Sequence, residues 1–113
     1  MSEQLRRLLQ AGQPQAATIT PHLGVMTLHF QLYGCEDIKA KRRTFAPLKA
    51  IWGKESDLAV AETADQDTLD CATWTIAAIG TSSQLISQRL DQVEKAIAER
   101  IDAPILEVQR ELL

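Results

Sequence analysis

The fold turns on "LGVMTLHFQLYGCEDIKAKRRTFAPLKAIW", Leu23 to Trp52, because the hydrophobic period changes inside it. Met26, Leu28, Phe30 and Leu32 alternate with Val25, Thr27, His29, Gln31 and Tyr33. A period of two sends successive side chains to opposite faces of a strand, here one strongly apolar and one mixed. Gly34 closes this strand. Beyond it, Ile38, Phe45, Leu48 and Trp52 recur at steps of seven, three and four. That spacing marks one side of a helix, with Asp37 placed to cap its start and Gly53 to stop it. Pro47 falls inside. It lacks an N–H and crowds the carbonyl of Arg43, at a cost of about 3 kcal/mol in a helix interior. A kink, or two short helices meeting near Ala46, is therefore expected.

Working outward, "DLAVAET" (57–63) reads as a second strand, "ADQDTLD" (64–70) as an acidic turn and "CATWTIAAIG" (71–80) as a third strand ended by Gly80. Strands this close in sequence join most simply as a hairpin. A hydroxyl among Thr81, Ser82 and Ser83 can cap the next helix. Its stripe is Ile86, Leu90, Val93, Ile97 and Ile101. "PILEVQREL" (104–112) reads as the last strand. The order β-α-β-β-α-β predicts an α+β, ferredoxin-like sandwich: a four-stranded antiparallel sheet with two helices on one face. The uncovered face would carry Val25, Thr27, His29, Gln31 and Tyr33, and faces of this kind serve a partner or a second copy of the chain.

Residues 1–21 read as an N-terminal extension and linker, and residues 22–113 as one domain. Leu5, Leu8 and Leu9 could line a short helix, but Gly12, Pro14 and Pro21 follow without periodicity. The 113-residue chain is 45 % hydrophobic and 24 % charged, ordinary proportions for a globular domain. Only Phe30, Tyr33, Phe45, Trp52 and Trp74 are aromatic, so aliphatic side chains must fill most of the core. Cys35 and Cys71 show no CxxC spacing and read as reduced thiols of a cytoplasmic protein. No apolar run approaches the roughly 18 residues of a membrane span, so no membrane role is expected.

Charge is segregated along the chain. Residues 36–54 hold Lys39, Lys41, Arg42, Arg43, Lys49 and Lys54 against Glu36 and Asp37. Residues 55–73 hold Glu55, Asp57, Glu62, Asp65, Asp67 and Asp70 with no base. Half of the 12 lysines and arginines thus fall on or beside the first helix. Cations at a helix N-terminus oppose the macrodipole, so dipole complementarity does not explain them. Either the run is a solvated face paired with the acids that follow, or it meets an anionic partner, RNA phosphate above all. The net charge of −3 argues against broad non-specific nucleic-acid binding and leaves room for one local patch. Lys41 falls in the apolar sector near the helix start, where it could snorkel outward.

"DIKAKRR" resembles the "SLKEKRR" signature of the YlxP-like family, a bacterial domain family of unknown function. "LGVMTLHFQLYG", "LAVAETADQD" and "ATWTIAAIG" are similar to that family's first three strands and acidic turn. The resemblance spans roughly residues 22–110 and implies a ferredoxin-like fold and no known activity. By position it marks Lys39, Lys41, Arg42, Arg43, Glu62, Gln66 and Asp67. Family members often sit beside genes for translation and ribosome maturation, which implies an association with RNA or a ribosomal subunit. The chain departs from the pattern at Pro47, at Leu69 where a Trp is common, and at Cys71 where a base is common.

No catalytic motif is present: there is no GxGxxG, P-loop or GxSxG. No enzyme activity, cofactor or metal is expected. The acidic turn lacks the glycine of an EF-hand. His22 and His29 fall on opposite strand faces. Glu62 ends a strand and could turn inward to pair with Lys41 or Arg42. The expected function is a small binding module that meets RNA or a ribosomal subunit through Lys39, Lys41, Arg42, Arg43 and Lys49, with Glu62, Gln66 and Asp67 in structural pairing. The alternative is a homo-oligomer, a dimer most simply, with no nucleic-acid role.

Overall fold

The computed structural model describes residues 20–113, so nearly all of the expected extension over 1–21 lies outside the described residues. The described chain runs β1 (His22–Gln31), α1 (Ile38–Ile51), a 3-10 turn (Trp52–Lys54), β2 (Leu58–Ala64), β3 (Cys71–Gly80), α2 (Ser83–Arg100) and β4 (Ile105–Leu112). The strands form one sheet in the order β2-β3-β1-β4, and every neighbouring pair is antiparallel. This is the ferredoxin-like arrangement expected from the order of elements.

The period-two pattern sets the sheet's two faces. Met26, Leu28 and Phe30 of β1 and Ala72, Trp74, Ile76 and Ala78 of β3 are buried beneath the helices. Phe45 and Leu48 of α1 and Ile86, Leu90, Val93 and Ile97 of α2 close over them. Leu28 pairs with Trp74 and Met26 with Ile76, so the apolar stripe is continuous across the two central strands.

Capping follows the residue chemistry. The Asp37 carboxylate accepts from the backbone N–H of Ala40 at 2.8 Å. The Ser82 hydroxyl accepts from the N–H of Leu85 at 3.1 Å. Each satisfies one of the unpaired donors of a first turn.

Two expectations are corrected. Of the two outcomes expected at Pro47, the split near Ala46 does not occur: α1 is one helix from Ile38 to Ile51. Phe45 and Leu48, on either side of the proline, are both buried, and their packing outweighs the single lost backbone bond. Tyr33 is not part of the uncovered sheet face, because β1 ends at Gln31. Gly34 takes a left-handed φ of 67°, and Tyr33 stands in that turn, 78 % exposed.

Candidate functional site: a cleft between the first helix and the acidic turn

The basic run of α1 resolves into three groups once it is wound at about 100° per residue. Lys41 shares the inward side with Phe45 and Leu48. Arg42, Ala46 and Lys49 form the next row and line a cleft. Lys39 and Arg43 project into solvent.

Lys41 corrects the expectation that it snorkels outward and contacts a partner. It is only 3 % exposed. Its ammonium donates to the carbonyls of Asp65 (2.5 Å) and Thr68 (2.6 Å) and lies 3.6 Å from the Glu62 carboxylate. A buried ammonium is tolerated only with such partners. Lys41 therefore stitches α1 to the β2–β3 turn, and Glu62 is its counter-charge.

The turn is shaped to receive that lysine. β2 slips register between Glu62 and Ala64, and Asp65 adopts a φ of 61°. Asp tolerates this left-handed region better than most side chains. Its carboxylate accepts from the Thr73 hydroxyl at 2.6 Å. The Thr73 hydroxyl in turn lies 3.3 Å from Nδ1 of His29. Sequence reading missed this Asp65–Thr73–His29 chain. Thr73 was one of several threonines, and only the register shows it to be 4 % exposed.

The cleft occupies about 360 Å³. Arg42 and Lys49 stand on the helix wall, and Glu62, Gln66 and Asp67 on the turn wall. Phe45, Ala46, Ile38 and Trp74 supply its apolar lining. Phe45 and Trp74 stack at 5.9 Å with ring planes 30° apart. Gln66 donates to the Glu62 carbonyl at 3.4 Å, which ties the turn wall to β2. Six site residues marked from sequence thus meet at one cleft, Lys41, Arg42, Lys49, Glu62, Gln66 and Asp67, with Lys41 at its buried base, whereas Lys39 and Arg43 lie outside. The aromatic lining was not foreseen, because Phe45 and Trp74 read as core and are mostly buried.

The thiols are poorly placed for nucleophilic chemistry. Burial, reinforced by the nearby Asp65 and Asp70, pushes the Cys71 thiol above its ordinary range, away from the reactive thiolate. Cys35 donates to the Asp37 carbonyl. Among the described residues no group of three or more His, Cys, Asp or Glu side chains gathers to hold a metal ion. No described helix is long and apolar enough to cross a membrane.

The sequence profile of a family described as a protein of unknown function, DUF503, matches residues 23–110. The chain belongs to the DUF503 family. The match begins within β1, ends within β4, and includes both walls of the cleft. No curated protein matches the sequence. Among solved structures, this DUF503 chain is similar to a de novo designed protein, Foldit4, at TM-score 0.48 and 10 % identity, over 81 % of this chain and 97 % of that one. It is similar to a dimeric ferredoxin-like protein from an uncultured marine organism at TM-score 0.46 and 9 % identity, over 83 % and 96 % of the two chains. A third is SnoaB, a cofactor-independent oxygenase from Streptomyces nogalater, at TM-score 0.39 and 13 % identity, over 80 % and 90 %.

Proposed function

We propose that this DUF503 chain is an RNA-binding module whose contact surface is the outer and cleft-facing sides of α1. One observation carries the reading. Lys39, Arg42, Arg43 and Lys49 are all exposed on a single helix, while Glu62 of the facing strand is paired with the buried Lys41. The cations therefore form a local positive surface on an acidic protein, enough to meet phosphates at one place and not along the whole molecule. The likeness of "DIKAKRR" to the YlxP-like signature supports the same reading and extends it to RNA held in a ribosomal subunit.

The test is a titration of a fluorescently labelled single-stranded RNA at several salt concentrations. Each phosphate contact contributes a slope of about 0.7 in the log–log plot for single strands. Replacing both Arg42→Glu and Arg43→Glu is expected to weaken binding at least tenfold and to lower the slope by roughly 1–2. Unchanged affinity and slope would remove the proposal.

A second reading is favoured by the sheet's other side. No described element covers it, and its centre is small and uncharged: Val25 and Thr27 of β1, Ala59 and Ala61 of β2, Thr75 and Ala77 of β3. A second copy of the chain fits such a face. This surface is separate from α1, so the two readings are compatible.

A further inference from the structure

We infer that the cleft between α1 and the β2–β3 turn takes one unstacked nucleotide of a single-stranded RNA, with guanine the preferred base. This inference rests on the RNA-binding reading of α1 and names what its cleft-facing row is for. The two walls differ in sign. Arg42 and Lys49 face a turn wall that carries Glu62, Gln66 and Asp67. Lys41 offsets the Glu62 charge, but a site for phosphate alone would still not place the Asp67 carboxylate beside the anion, since like charges repel. A wholly cationic ligand would be repelled by the helix wall. The occupant must therefore be dipolar: anionic at one end, rich in N–H donors at the other, and flat and apolar between.

A nucleotide has that layout. Its phosphate meets the Arg42 guanidinium and the Lys49 ammonium by charge-assisted hydrogen bonds. Its base lies along the apolar lining, in which Ile38 and Ala46 are the accessible side chains and the buried Phe45 and Trp74 form the back. Its Watson–Crick edge meets the turn wall. Guanine offers two adjacent N–H donors there, which a carboxylate accepts together. Glu62 is already engaged with Lys41, so Asp67, exposed and lining the cleft, is the residue assigned to read the base. The volume of about 360 Å³ suits one nucleotide, not a duplex, in which each base is stacked and paired out of reach.

The test compares two labelled RNA strands, one of uridine alone and one of uridine with a single central guanine, and the guanine strand annealed to its complement. The wild-type protein is expected to bind the guanine strand roughly tenfold tighter than the uridine strand and to lose that preference on the duplex. Asp67→Asn, a conservative change at an exposed site, is expected to abolish the guanine preference, read as the ratio of the two single-strand affinities. Ala46→Trp, which fills the cleft, is expected to do the same. Equal wild-type affinity for the two single strands overturns the inference, as does a preference that survives both variants. In either case, if uridine binding still collapses in the Arg42→Glu, Arg43→Glu double variant, the RNA-binding reading of α1 stands. Failure of every strand to bind removes that reading as well.

Discussion

Lys41 shows how one side chain can reverse the meaning of a motif. In the sequence it belongs to a basic run; in the fold it is a buried strut with three partners. Replacing it by Met keeps the length and removes the charge. The change leaves two carbonyls without their donor and Glu62 without its counter-ion. Hydrogen bonds to charged groups contribute about 1.5–3 kcal/mol each, and an orphaned charge adds its own cost. Lys41→Met is expected to lower unfolding free energy by about 2–4 kcal/mol in urea melts. A loss below about 0.5 kcal/mol, the range of ordinary surface changes, would show that the lysine is not structural. The sequence could show that Lys41 fell in the apolar sector, because that follows from helical angle alone. It could not show three waiting acceptors. Those depend on the register slip after Glu62 and the left-handed Asp65, which are set by how β2 meets β3. Arg42 and Lys49 were legible as cations for the same angular reason. Their position opposite Gln66 and Asp67 across a cleft required the hairpin to fold back over the helix.

Elements dock through a few tight contacts, and these give two predictions. β1 passes closely beneath α2 at Gly24. A methyl group there would come within 2.5 Å of Ile86 Cγ2 and 3.2 Å of a Leu112 methyl. The glycine is needed for close approach and not for an unusual backbone angle. Gly24→Ala is expected to destabilise by about 1–3 kcal/mol through overpacking, read as a lower urea midpoint with an unchanged slope. α2 is also tied to the start of β2 by Arg89, whose guanidinium donates to both Asp57 oxygens at 2.9 and 3.2 Å. That hydrogen bond holds the Asp57 carboxyl below its ordinary value of 3.8. A carboxylate with a depressed folded-state pKa adds stability above the unfolded value and loses it as pH falls through the folded one. The side chain is 39 % exposed, so the pair is worth under about 1 kcal/mol. Asp57→Asn is expected to cost that small amount at neutral pH and nothing once the medium is acidic enough to protonate Asp57. A difference that grows on acidification would contradict the assignment. The element order, both caps and both apolar stripes were legible because each follows from local period and residue type. The unbroken helix through Pro47 was not, since it depends on how firmly Phe45 and Leu48 are held by the sheet.

At the scale of the whole molecule, the two surfaces are chemically unlike and lie on opposite sides of the sheet. The helical side carries a cleft with charged walls. The other side is a flat field of small residues, in which Thr75 links to Thr27 at 3.0 Å and to Thr63 at 2.8 Å. Two hydrogen bonds join these three hydroxyls within the sheet, so covering them leaves a single O–H to be met by the partner, and small side chains let two sheets approach to about 10 Å. Glu107 and Glu111 lie opposite His29 and Val25 at the β4 margin, so charge is confined to the rim, the distribution expected of a face that buries its centre. A dimer through this face would leave both clefts open and set two RNA contacts on one particle, raising avidity without a new contact. Light scattering on the wild-type protein at tens of micromolar is expected to give twice the chain mass. Ala77→Arg is expected to give the monomer mass, because it sets a guanidinium at the centre of the interface without removing a hydrogen bond. The monomer should retain single-strand RNA binding and lose only the avidity for strands long enough to span two clefts. A wild-type protein that is monomeric at these concentrations, or an Ala77→Arg variant that still dimerises, would assign the face no role in self-association.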